Sequence, residues 1–259
     1  MGFTLLMIFW ENKAPRKKQK IVRRKRWPAN FMLGIINVLV IRLLFSGAAV
    51  SAAAWAKKNN KGLFNTLQLS DRVERLMTLL AMDLIIYWQH RLSHSVGLLW
   101  RLHRVHHADL ELDASSGVRF HPFEALLSMM LKMVSVVVLG ARPGSVILFE
   151  LVLNLLATFN HSNIYIPPIF ESVLRQIFIT PDLHRIHHSV LYSEQQKNFG
   201  FSVPWWDKVF GSFLAKGKKE PDQIILGDGK LMAPKQTQTL KATLLGIPLR
   251  TLEEKYEHT

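Results

Sequence analysis

The apolar positions divide the chain before composition is considered. Residues 31–56 are apolar apart from Arg42 and a few small polar residues, and this run exceeds the ~20 residues a helix needs to cross a bilayer. Trp27 and Trp55 bracket it, about 42 Å apart along one continuous helix, which matches a full membrane with an aromatic belt at each face. Three further apolar stretches follow, at residues 76–88, 122–139 and 145–159. Each carries charge: Asp83 in the first, Glu124 and Lys132 in the second, Glu150 in the third. All three are short for a span, so crossing requires tilt or local thinning. Gly140-Ala141-Arg142-Pro143-Gly144 separates the last two and suits a tight helical hairpin. Residues 165–180, two prolines and then IFESVLRQIFIT, predict an amphipathic helix lying in the interface. The pattern predicts about four transmembrane helices. Its divisions are a basic arm (1–29), a first transmembrane helix and loop (30–65), a helical membrane domain (66–215) and a polar, peripheral tail (216–259).

Charge changes the picture in one place. The chain of 259 residues carries 33 Lys+Arg against 19 Asp+Glu, a net charge of +14. Nine of those cations fall in KAPRKKQKIVRRKR at residues 13–26, without an acid. Such a run suits a nucleic-acid arm or a membrane anchor. The apolar run directly behind it favours a positive-inside anchor and no nucleic-acid partner. Five basic residues between 57 and 75 pull against this topology. The apolar opening MGFTLLMIFW precedes the basic run, the reverse of a signal peptide, so no cleaved signal is expected. At 49% apolar residues a disordered chain is excluded. The absence of Cys excludes a disulfide scaffold and any cysteine-ligated zinc or iron–sulfur site.

The histidines carry the chemistry. Ten of eleven lie between residues 90 and 188: His90 and His94; His103, His106 and His107; His121; His161; His184, His187 and His188. On a helix, residues three and four apart share a face, so each group aims its imidazoles one way. Thr180-Pro181 supplies a cap and first turn for the last group. The groups also fall at the ends of the apolar stretches, on one membrane face if all four cross. Clustered imidazoles repel when charged and leave polar atoms unpaired when buried, so a metal is their natural partner. Ten are too many for one ion and suit two with about five each. His121 and His161, as single residues, also fit an interfacial hydrogen-bonding role, and His258 in the tail stands outside the site. Asp83, Tyr87, His90 and His94 share one helical face. Glu150, Asn154, Thr158 and His161 share another. Intramembrane acids are costly, so these residues either orient the imidazoles or bond between helices.

With these motifs the chain resembles the fatty acid hydroxylase / sterol desaturase superfamily of membrane di-iron oxidases. The segments that carry the resemblance are HRLSH (90–94), LWRLHRVHHADLELDASSGVRFHPFE (99–124), FNHSN (159–163), TPDLHRIHHS (180–189) and NFGFSVPWWDKVFGSF (198–213). It covers roughly residues 70–215, and the ordered HxxxH, HxxHH and HxxHH motifs are highly specific. Val203-Pro204-Trp205-Trp206 is more aromatic than the family's turn. The resemblance implies an all-α integral membrane protein with a cytosolic histidine-rich helical catalytic cap. All ten histidines are then metal ligands for two iron ions, with zinc as a possible substitute. Asp83, Tyr87, Asn160, Asp182 and Asn198 are candidates for the surrounding shell. It further implies O2-dependent hydroxylation or desaturation of a sterol, fatty acyl or related membrane lipid. A chain without Cys needs an external electron donor, of ferredoxin or cytochrome type with its reductase. The active site faces the cytoplasm, in a bacterial inner membrane or, in a eukaryote, the ER membrane. The competing class is a histidine-rich membrane protein for metal transport or storage, which calls for ligands along a path through the bilayer. A catalytically silent relative and a zinc hydrolase are further alternatives.

Overall fold

The computed structural model describes residues 2–249 and is helical throughout, with two isolated bridges, Pro15 to Ile164 and Ser189 to Leu226, in place of any sheet among the described residues. His258 lies outside them. Three segments are long and apolar enough to cross a membrane: Arg23–Thr66, Pro122–Leu139 and Pro143–His161.

The first of these is not one straight helix. α1 (Gly2–Lys13) precedes α2 (Arg23–Phe45), and α2 stops at Ser46 before α3 (Ala48–Lys58) begins. Gly47 makes the break at φ +66°, a left-handed backbone that glycine adopts without a steric penalty. The expectation of one continuous helix between two tryptophan belts is therefore corrected. Trp27 instead donates its indole N–H to Asp113 at 3.2 Å. α3 presents Ala49, Ala53 and Ala56 inward, and these small side chains let it lie close against the following hairpin.

A short turn, α4 (Leu63–Thr66), leads to α5 (Asp71–Ser95), which contains the stretch 76–88. This helix is long enough to cross but not apolar enough. It buries Glu74, Thr78, Asp83, Tyr87, His90, Ser93 and His94 within the protein. The expected fourth crossing is thus a helix whose polar face serves the interior. α6 (Gly97–His107) follows, then a buried loop through residues 108–121. α7 (Pro122–Leu139) and α8 (Pro143–His161) form the expected hairpin, with Gly140 at φ +70° closing α7. Glu74 fastens α5 to this turn by accepting from the Arg142 N–H at 2.8 Å and the Ser145 hydroxyl at 2.6 Å. One core joins the helices through Ala49, Ala53, Met82, Ile86, Val136, Val146 and Phe149.

Beyond α8 the helices are short: α9 (Pro168–Leu174), α10 (Pro181–His187), α11 (Tyr192–Gln195) and α12 (Trp205–Val209). α9 exposes Ile169, Phe170 and Val173, as an interfacial element does. Thr180 caps α10, its hydroxyl accepting from the Leu183 N–H.

Neither end lies apart from this unit. The basic arm wraps over the histidine-bearing loops: Arg16 pairs with Asp182 at 2.9 Å, and Arg26 is fully buried against Asp109 and Asp113. The tail, expected to be peripheral, sends Leu231 and Ile247 into a core with Leu33 and Val105, and its Thr237 carbonyl accepts from Arg119.

Candidate metal centre

Four segments deliver the imidazoles. The end of α5 supplies His90 and His94, α6 supplies His103, His106 and His107, α8 ends on His161, and α10 with its cap supplies His184, His187 and His188. They sort into two buried sets. His90, His94, His103, His107 and His187 form one, and His106, His161, His184 and His188 the other, with ligand atoms within 4.8 Å in each. The two HxxHH motifs are interleaved between the sets. In α6 the first and last histidines join the five-membered set and His106 crosses over. In the second motif His184 and His188 join the four-membered set and His187 crosses over. On one helix face i+4 falls slightly to one side of i and i+3 to the other, so one short motif reaches two ions. His107 and His188, from different sets, stack at 4.2 Å.

Backbone and carboxylate acceptors fix the tautomers. His90 Nδ1 donates to the Phe199 carbonyl at 2.8 Å, His187 Nδ1 to the Lys197 carbonyl at 2.8 Å, His161 Nδ1 to the Ala157 carbonyl at 2.6 Å and His106 Nδ1 to the Arg119 carbonyl at 3.3 Å. His103 Nδ1 donates to Glu124 at 2.6 Å. A carbonyl only accepts, so the proton sits on Nδ1 and each of these rings turns a bare Nε2 lone pair inward.

Those lone pairs test whether the residues fit a metal. His161 Nε2 lies 2.9 Å from His106 Nε2 and 2.9 Å from His184 Nε2, and His184 Nε2 lies 3.1 Å from His188 Nε2. His106 and His161 both hold their proton on Nδ1, so their facing nitrogens have none to share. A cation resolves this: nitrogens about 2.1 Å from one ion and at right angles around it stand ~3.0 Å apart. In the other set the Nε2 atoms of His90, His94, His103, His107 and His187 are buried without a hydrogen-bond partner. Burial, reinforced by neighbouring imidazoles, holds His106, His107, His184 and His188 well below the ordinary histidine value. It takes His187 down to about 3, although the Lys197 carbonyl favours the charged form. Neutral, buried, outward-tethered imidazoles fit metal ligation, and imidazole suits iron as well as zinc.

The remaining expected site residues fall elsewhere. His121 stands outside both sets. It caps α7, with Nδ1 accepting from the Phe123 N–H at 3.2 Å and Nε2 donating to the Leu244 carbonyl at 3.2 Å, so both nitrogens are used. This corrects the expectation that all ten histidines converge. Asp83, Tyr87, Asn160 and Asn198 do not bond the imidazoles; they hold the loop that packs on them. Asp83 accepts from the Ser202 N–H and the Trp206 indole, Tyr87 bonds Ser212, Asn160 donates to the Phe201 carbonyl, and Asn198 ties Leu183 to Leu214. Asp182 is engaged by Arg16. Glu150 pairs with Lys132 at 3.1 Å, and Asn154 bonds its own helix. Glu124 is the partner that sequence reasoning missed. Its place in the first turn of α7, closing the HPFE segment, was the available signal.

Phe199 sets its ring edge-on to His90, His94 and His187, and Phe120 stacks on His106 at 4.3 Å. A cavity of about 290 Å³ opens between α2, α5, α7 and α8, with His90, His103, His106 and His184 in its wall.

A helical membrane protein with a histidine-built site for metal ions is the class that this fold and site define. Residues 75–212 match the fatty acid hydroxylase family, and the chain belongs to it. It is 32% identical to the ornithine lipid hydroxylase OlsE of Rhizobium tropici over 128 residues, 49% of this chain and 38% of that protein. It is 30% identical to the alkylglycerol monooxygenase of Homo sapiens over 143 residues, 54% of this chain and 30% of that one. A very-long-chain aldehyde decarbonylase of Oryza sativa is 28% identical over 130 residues, 50% of this chain and 48% of that one. The chain thus spans less than half the length of each of these relatives. No solved structure matches it.

Proposed function

We propose that this chain is a membrane-bound di-iron oxidase that hydroxylates a lipid C–H bond, using O2 and two electrons from a separate donor. The observation that carries this reading is the pair of adjoining histidine sets, four of whose members line a cavity among apolar helices. In this reading His90, His94, His103, His107 and His187 hold one iron, and His106, His161, His184 and His188 hold the other. Bound there, the iron pair supplies the O2 activation and redox chemistry that the side chains lack.

The chain's own residues do the rest. Glu124 and the carbonyls of Phe199, Lys197, Ala157 and Arg119 keep each proton on Nδ1 and aim each Nε2. Phe120 and Phe199 cover the rings and keep water from them. The cavity admits an acyl or alkyl chain from the bilayer beside the site. Exposed Lys18, Lys20, Arg24 and Lys25 on the arm, with Lys216, Lys218 and Lys219 beyond α12, offer an acidic ferredoxin- or cytochrome-type donor a complementary face. The same cations favour a cytoplasmic orientation, in a bacterial inner membrane. Relatives named for hydroxylation and monooxygenation support oxygen insertion over desaturation. Transport or storage of metal fits less well, because the two sets adjoin at one level instead of following a path through the helices.

The test is to purify the protein anaerobically in mild detergent, count its metals, and supply lipid extract, reductant and O2. Iron-dependent appearance of lipids carrying one added oxygen atom supports the reading. Iron-loaded protein that leaves every lipid unchanged while consuming no O2 overturns it.

A further inference from the structure

The apolar surface of this protein does not stop where the crossing helices end. α1 turns Leu5, Leu6 and Phe9 outward, with Leu5 64% and Phe9 60% exposed, while Phe3, Met7 and Ile8 pack inward. That outward face is fixed in place. Glu11, on the inner side, accepts from the Ala114 N–H at 2.8 Å and the Asn163 N–H at 2.9 Å, and the Ala14 carbonyl accepts from the Tyr165 N–H at 2.8 Å. Met7 joins Ile164 and Ile166 in one core, with Leu174 of α9 packed against it. α1 and α9 therefore meet, and α9 adds Ile169, Phe170 and Val173, the first of them 72% exposed. Six large apolar side chains on two adjoining short helices call for a cover.

A bilayer interface fits them. α1 has 12 residues and reaches about 18 Å, too short for a hydrocarbon core of ~30 Å, so a bilayer takes it lying in the interface plane. Its edge carries the residues such a position favours: Trp10 and Tyr165, both partly exposed, and Lys13, whose Nζ lies 5.8 Å from the Phe9 ring centroid. α1 also packs on α8, whose Ile147 and Leu151 face outward along the span. We infer that α1 and α9 form a collar sunk into the headgroup layer of the bilayer. Asn163, which Glu11 holds, comes two residues after His161, so the collar sets the histidines at headgroup depth and not in a cap standing clear in water. A lipid substrate then needs no lift out of the bilayer. α1 lies outside the segment matched to the family. The placement rests on α7 and α8 crossing the membrane and not on the oxidase reading.

The chain has no Cys, so single nitroxide labels test this in the full protein: Leu5→Cys, Phe9→Cys and Phe170→Cys on the collar, Leu151→Cys on α8 and Lys219→Cys as a position in water. Each is placed in nanodiscs of phosphatidylcholine and phosphatidylglycerol. Collisions of the label with O2, which concentrates in lipid, are compared by EPR with those of a water-soluble nickel chelate. O2 outweighs the chelate at the three collar labels and at Leu151→Cys, with the collar labels shallower, and the chelate outweighs O2 at Lys219→Cys. Chelate excess at Leu5→Cys and Phe9→Cys, with O2 excess kept at Leu151→Cys, overturns the collar and leaves the crossing helices standing. Chelate excess at Leu151→Cys as well overturns both. Spin–spin broadening at Leu5→Cys or Phe9→Cys puts a second copy on the face and overturns the collar too.

Discussion

Two buried polar regions sit side by side in this protein and are built on opposite terms. In the first, Arg26 donates to both carboxylate oxygens of Asp109 and to Asp113, all at 2.8 Å, while Asn30 bridges Asp109, Ser115 and Arg119. None of these side chains holds an unpartnered buried polar atom. Burial works against the Asp109 carboxylate, yet Arg26 holds it below the usual carboxylate range; burial, with the Arg26 cation nearby, takes Arg119 down to about 10 although Asp109 opposes it. The second region begins two residues away at His107, and there the unpartnered atoms gather. Nine imidazoles meet there: five are tethered from outside through Nδ1, while His94 and His107 have neither nitrogen partnered. A closed network explains itself as structure, since every desolvated group is repaid by a neighbour. An open one of the same burial is intelligible only with a ligand, here a cation for each set.

The contrast can be broken from either side. Removing a ligand has the largest effect. His187→Ala and His106→Ala each lower bound iron from two per chain to one or none and reduce lipid oxygenation by at least about a hundredfold, with helical content unchanged by circular dichroism. Retention of both irons by either variant would return these residues to a packing role. Next is the closed network, where the loss is of fold and not of metal affinity. Arg26→Ala strands two buried carboxylates and costs about 3–5 kcal/mol of stability, measured by thermal denaturation in detergent. Adding Asp109→Asn recovers part of it, because one of the stranded charges is gone.

Glu124→Gln sharpens the boundary between the regions. It keeps an acceptor for His103 but removes the charge, and weakens iron binding by about 10–100-fold in competition with a chelator. An unchanged affinity would make Glu124 a helix residue and nothing more. Smallest is Asp83→Asn. Its carboxylate accepts two N–H groups from the 202–206 loop, so one bond is lost at about 1 kcal/mol while iron content stays at two.

What the sequence made legible follows from local rules. Periodicity placed α7 at residues 122–139, Gly140 to Gly144 gave the hairpin, Thr180 gave the cap of α10, and i, i+4 spacing put Asp83, Tyr87, His90 and His94 on one buried face. What stayed hidden depends on distant partners. Apolar content alone does not reveal that Gly47 breaks the first span, or that the polar face of α5 is turned inward. Basic residues read as an anchor became internal ion pairs because Asp109, Asp113 and Asp182 lie more than 80 positions away. His121 looked like a ligand, but a helix start and the Leu244 carbonyl claim its nitrogens. The split into five and four needs tertiary geometry, as do the carbonyls of Phe199 and Lys197, which no side-chain pattern can announce.

The central claim is that the unpartnered imidazoles are paired to two metal ions, and metal content per chain after anaerobic purification tests it most directly. Two irons per polypeptide, lost together with oxygenation when either set is broken, is the predicted result. A folded, monodisperse protein that carries no metal and takes up none from added iron would contradict it.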